Sequence, residues 1–112
     1  MAISPTQNSL KKIKTDGWTL AQIVEHWNPF GKGGGNRKDL FGIIDILALN
    51  DKGDVLAVQT TSKNNMNARI KKMESDEHFY ALSSMRQASW QIEVHGWYKE
   101  GNRWKVKIAD LS

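Results

Sequence analysis

A single carboxylate interrupts an otherwise apolar run. Asp45 lies within residues 41–49, among Ile43, Ile44, Ile46, Leu47 and Leu49. An ionised acid in such surroundings is costly unless it meets a partner, and a cation is a natural one. Residues 50–54, Asn-Asp-Lys-Gly-Asp, carry the residue types a tight reversal needs, and a second apolar run follows at 55–58. Alternation along that second strand then sets Gln59, Thr61 and Lys63 on one face. A buried acid across a hairpin from an amide oxygen and a lysine is the donor set of a divalent-metal site. Oxygen ligands favour a hard cation, Mg²⁺ first, with Mn²⁺ able to substitute. Asp45, the Gln59 carbonyl oxygen and a backbone carbonyl near Thr60 are the expected ligands.

The flanking elements must hold that site. Ser4 suits a helix N-cap and Pro5 the first helical position, with Leu10 and Ile13 as a thin apolar stripe and Gly17 closing the helix. Residues 18–27, WTLAQIVEHW, place Leu20, Ile23, Val24 and Trp27 at helical spacing, so the pattern alone favours a second helix. Residues 31–36 form a glycine-rich loop that matches no nucleotide P-loop, and whose backbone N–H groups can approach phosphate closely. Asp39 stands six residues before Asp45; it either assists a metal or pairs with Arg37 or Lys38. Residues 40–42 suggest a bulge. Asn64 or Asn65 caps a helix from Met66 to about Glu74 with Met66, Ile70 and Met73 inward, leaving Arg69, Lys71 and Lys72 towards solvent. Another helix runs from Ser75 to about Gln87, and residues 90–99 and 103–109 form a second hairpin.

The order of these elements, and Asp45 followed by Gln59-Thr60-Thr61 on the next strand, resemble the PD-(D/E)xK nuclease superfamily. There an Asp begins one strand and Glu-x-Lys lies on the next. The chain is most similar to the small Holliday junction resolvases and VRR-NUC proteins, phage-type forms especially, over roughly residues 4–73. The resemblance implies an α/β fold with a restriction-endonuclease-like α-β-β-β-α-β core. Its mixed central sheet is flanked by helices and followed by a C-terminal β-hairpin. It makes residues 18–27 the first strand rather than a helix. Glu25 then faces the side of Ile23 and Trp27, as a metal-side carboxylate or an edge residue.

Two positions depart from the family pattern: Gln59 stands for the usual Glu and Thr61 for the usual Lys. Lys63 lies one pleat further, about 7 Å along the strand, within reach of a flexible stem. Lys38 is a fallback for its role. The Glu that the family often carries on its first helix is matched by Gln7. The expected catalytic set is Asp45, Gln59, Lys63 and Glu25, the metal set Asp45, Gln59 and Asp39. Lys32, Arg37, Lys38, Arg69, Lys71 and Lys72 are the expected DNA contacts.

Composition bounds the rest. The 112 residues suit one domain (1–112), and a net charge of +4 permits an anionic partner. There is no cysteine, which excludes disulfides, thiolate nucleophiles and Cys-ligated zinc. No apolar run spans a membrane and no signal-peptide core precedes the first helix, so a soluble cytoplasmic protein is expected. His95 has no Ser, Cys or second His at a persuasive spacing, and a hydrolase triad is not expected. The functional expectation is a Mg²⁺-dependent endodeoxyribonuclease. The resemblance adds branched or structured DNA as substrate and a homodimer as assembly. The Gln59 and Thr61 substitutions sustain an alternative, a nucleic-acid-binding domain of the same fold with little or no catalysis. A partner-binding scaffold ranks third.

Overall fold

The computed structural model describes residues 4–28 and 36–112. Helix α1 spans Pro5–Thr15; Ser4 Oγ accepts the Gln7 N–H at 3.2 Å, and Asp16 and Gly17 (φ 99°) end the helix. A helix N-terminus leaves its first amides unsatisfied, and Ser4 supplies one acceptor.

The segment after α1 folds as strand β1, Leu20–Ile23, and not as a helix. Its backbone pairs antiparallel with β4, Ile46–Leu49, from Leu20↔Leu49 to Ile23↔Ile46. The helical spacing of its apolar residues is overridden by this pairing. The strand then breaks at Val24–Glu25, where the Val24 N–H donates to the Asp45 carbonyl at 2.8 Å. Strands β2 (His26–Asn28) and β3 (Asn36–Lys38) form a separate two-stranded sheet. The glycine-rich loop, with Lys32, lies outside the described residues, as does the side chain of Arg37.

Between β3 and β4 the chain makes a tight turn where a bulge at residues 40–42 leading into a strand was expected. Phe41 and Gly42 have φ of 54° and 80°, and the Ile43 and Ile44 N–H groups both reach the Leu40 carbonyl. Ile43 and Ile44 are both fully buried in the same apolar cluster. A flat strand would send them to opposite faces; the turn lets both reach one core. Asp45 consequently sits at the start of β4 and not in mid-strand.

Strand β5, Val55–Ser62, pairs with β4 across the turn that Asn50 closes, its Oδ1 accepting the N–H groups of Lys52 and Asp54. A short 3₁₀ turn, Lys63–Asn65, leads into α2, Met66–Met73, and a second one precedes α3, Phe79–Gln87. Strands β6 (Gln91–Glu100) and β7 (Arg103–Asp110) complete the chain as an antiparallel hairpin. The sheet order is β1-β4-β5-β6-β7, with β5 and β6 parallel and the other pairs antiparallel. This is the α/β fold expected, a mixed sheet with helices on both faces and a C-terminal β-hairpin.

Burial on both faces explains the unbroken apolar run at 55–58 in the first half of β5. Leu56 and Val58 join Ile13, Ile46 and Ala48 under α1, while Ala57, Ile92 and Val94 pack with Met66, Met73, Leu82 and Met85 of α2 and α3. Gly96 is required where α2 crosses β6: a Cβ there would collide with the Met66 side chain. Among the described residues no helix is long and apolar enough to cross a membrane.

Candidate metal centre

Asp45 is 3% exposed, and its backbone N–H continues the ladder to the Val58 carbonyl at 2.9 Å. Its Oδ2 accepts three hydrogen bonds: Gln59 Nε2 at 2.6 Å, the Thr60 N–H at 2.8 Å and Thr60 Oγ1 at 3.0 Å. Gln59 and Thr60 are neighbours in sequence and point to opposite faces of β5. Both reach the same oxygen because Asp45 lies just before β4, at the end of the sheet where the strands part. Thr60 Oγ1 lies 2.8 Å from Thr6 Oγ1, so the first turn of α1 is tied to the floor of the site.

Two further acids converge there. Glu25 follows the break after β1, and Asp39 sits between β3 and the 40–44 turn. Each offers a carboxylate oxygen, and those of Glu25, Asp39 and Asp45 all lie within 4.8 Å of one another. The group could hold a metal ion. Asp39 is pushed up from 3.8 to about 7, by burial first, then by the Asp45 charge and its hydrogen bond with Asp45, then by Glu25; Lys72 opposes the shift. Like charges this close do not all ionise comfortably, and either a proton or a cation relieves them. An all-carboxylate donor set suits a hard cation over softer ions.

The carboxylates form one wall of a cleft of about 550 Å³. Thr6 and Ser62 contribute to its rim, and Arg69 and Lys72 of α2 bring two cations to it. No protein-family model, curated protein or solved structure matches the chain.

Asp45, Gln59, Asp39 and Glu25 are brought together as the sequence suggested, and Arg69 and Lys72 line the same cleft. Gln59 stands beside Asp45, but through its amide nitrogen, where its carbonyl oxygen was expected to meet a metal; the Thr60 carbonyl receives the same amide at 3.4 Å. Lys63 is a correction. Strand β5 stops at Ser62, Lys63 opens the 3₁₀ turn, and its Nζ lies 4.4 Å from the centre of the Tyr98 ring. Tyr98 shares the sheet face of Gln59 and Thr61, so Lys63 keeps the side that alternation predicts, but it is held against that ring and does not line the cleft. Lys38, the fallback, is exposed on β3 and does not line the cleft, and Lys71 is exposed on α2, beside Asn67 and Glu74. Gln7 is exposed; Pro5 and Thr6 of α1 line the cleft, and Thr6 meets Thr60.

A second polar constellation was not foreseen. Ser9 Oγ lies 2.9 Å from His95 Nδ1, and His95 Nε2 lies 2.9 Å from Glu93 Oε1. The residues are those of a hydrolase triad, yet Ser9, on the inner side of α1, is fully buried and also accepts the Trp97 Nε1–H at 2.7 Å. No substrate reaches such a hydroxyl. The network fastens α1 to β6, and its members are too far apart in sequence, with |i−j| of 86 and 88, for spacing to reveal them.

Proposed function

We propose that the chain is a metal-dependent nuclease that hydrolyses phosphodiester bonds in DNA, with Asp45, Asp39 and Glu25 as ligands to Mg²⁺. The observation that carries this reading is the convergence of three carboxylates in a cleft that also presents Arg69 and Lys72. An acidic wall suits a divalent cation, and two fixed positive charges suit the anionic phosphate that such a cation would act upon.

The carboxylate set also gives the Gln59 departure a physical meaning. A glutamate there would make a fourth acid beside the three, whereas the amide adds a donor to Asp45 and no charge. Glu25 and Asp39 supply the negative charge that position 59 lacks. Bound Mg²⁺ would supply Lewis-acid charge and a more acidic water. Gln59 and Thr60 hold the Asp45 carboxylate in one orientation, and the Thr6 hydroxyl braces Thr60. Arg69 and Lys72 receive the phosphate and offset charge that develops on it, the role first sought in Lys63. By the resemblance, the substrate is branched or structured DNA, a homodimer is the working unit, and the setting is the cytoplasm.

The test is a cleavage assay on junction, flap, single-stranded and linear DNA with Mn²⁺, Mg²⁺ or chelator. Metal-dependent cutting that Asp45→Ala abolishes supports the proposal; no cutting of any substrate sinks it. A second reading, a binding domain without catalysis, is favoured by the placement of Lys63 on Tyr98 and by Thr61 at the usual lysine position. It requires DNA retention without metal, unchanged or tightened by Asp45→Ala.

A further inference from the structure

Beyond the cleft, basic and aromatic side chains continue on the face of the sheet that carries Gln59 and Thr61. Thr61 is in register with Gly96, and Gly96 with Lys107; one pleat on, Tyr98 is in register with Lys105. Residues in register across a sheet share a face, so Lys107 and Lys105 lie on the side from which the 3₁₀ turn brings Lys63 over Tyr98. All three lysines are exposed and Tyr98 is half-buried. The acid beside them is Glu100, exposed, with Oε1 3.8 Å from Lys105 Nζ. Ser62, just before Lys63, and Asn65, two residues after it, line the cleft, so the basic strip starts where the cleft ends.

We propose that Lys63, Lys105 and Lys107, with Tyr98 as the platform that holds Lys63, form a contact strip for the phosphate backbone of a nucleic-acid strand leaving the cleft. Lysines on an edge strand such as β7 also discourage sheet-to-sheet association. That role does not account for Lys63, which comes from another element and converges on the same patch. With Lys63 against the Tyr98 ring, the strip is suited to charge contact more than to base stacking. Such contacts release counterions, so each makes affinity fall more steeply with salt. The strip rests on the nuclease reading for its occupant, but its test does not depend on cleavage.

The experiment is fluorescence anisotropy of the full chain with labelled single-stranded and duplex DNA in chelator, across a salt series. The Lys105→Gln/Lys107→Gln variant is expected to bind at least tenfold more weakly, with the log–log salt slope reduced by about 1.4 on single strands and about 1.8 on duplex. A Lys11→Gln/Lys14→Gln variant, with the same charge removed from the exposed side of α1, is expected to keep the wild-type slope. Equal losses in both variants, no loss in the first, or no measurable binding by the wild type would each overturn the strip. So would displacement of the DNA by poly-glutamate as readily as by unlabelled DNA, which would point to an acidic polypeptide. Binding with the expected slopes but no metal-dependent cutting would leave the strip standing and remove the nuclease. Metal-dependent cutting with an unchanged slope would do the reverse.

Discussion

Gln59 Nε2 donates to Asp45 Oδ2 at 2.6 Å, on the oxygen that also takes the Thr60 N–H and hydroxyl. An ionised glutamate at position 59 could not make that bond and would face Asp45 charge to charge. Gln59→Glu is therefore expected to lower stability in chelator by about 1–3 kcal/mol, the cost of a lost buried donor. It is also expected to show a larger gain in melting temperature on adding Mn²⁺ than the wild type. Thermal unfolding with and without Mn²⁺ measures both. An unaltered melting temperature with no response to the ion would count against a carboxylate-lined metal centre.

Asp39 gives the site a pH dependence whose sign follows from its raised value of about 7 against an ordinary 3.8. Between these values the folded chain holds a proton that the unfolded chain has released. Stability without metal is therefore expected to fall as pH rises from about 4 to about 7, and to level off above. Asp39→Asn, which keeps the shape and removes the titration, is expected to flatten that slope. Urea unfolding in chelator across this range is the measurement, and an equal slope in both proteins would refute the shared proton. Divalent-ion affinity is expected to rise over the same interval as the proton leaves.

Thr60 joins α1 to the acid at the start of β4. Thr60→Val keeps the branched shape and removes the hydroxyl between Thr6 and Asp45, with an expected loss of about 1–3 kcal/mol. A double-mutant cycle with Thr6→Val should show coupling between the two positions, since each hydroxyl partners the other. Additive losses within about 0.5 kcal/mol would mean the 2.8 Å contact contributes nothing of its own.

Lys72 lines the cleft and acts on Asp39, whereas Lys52 is exposed in the turn between β4 and β5. Lys72→Ala is expected to lower kcat/KM for DNA cleavage by about 10²-fold, the scale of losing one charge-stabilising group. Lys52→Ala should leave it within twofold. Full activity in Lys72→Ala would move the phosphate-facing role to Arg69, whose alanine variant is the companion measurement.

Much of this architecture was legible because it is local. Ser4 and Pro5 announce α1, and Asn50 and Gly53 announce the β4–β5 turn. Asp45 stood out because a lone acid among isoleucines demands a partner. Other features depend on where an element stops. Alternation gives the face of Lys63 but not the Tyr98 ring that keeps it out of the cleft lining, and the apolar run at 41–44 conceals a full turn at Phe41 and Gly42, where a bulge at 40–42 was the expectation. The meeting of Glu25, Asp39 and Asp45 could be suspected acid by acid, but their convergence depends on the β1 break and the 40–44 turn, which hydrophobic periodicity does not encode. Thr6 and Ser9 were silent, since a hydroxyl on a helix is ordinary until its partner arrives from a distant strand.

The Ser9, His95 and Trp97 contacts carry one last implication. Apolar helix faces tolerate sliding, but a hydroxyl that must meet an imidazole and an indole N–H together admits a single register. Displacing the first helix by one turn would strand three polar groups in a dry interface and draw Thr6 away from Thr60. A helix with no acid of its own thereby acts as the gauge block for the acidic cleft, and trimming the chain ahead of Leu10 should disorder the carboxylates without removing any of them.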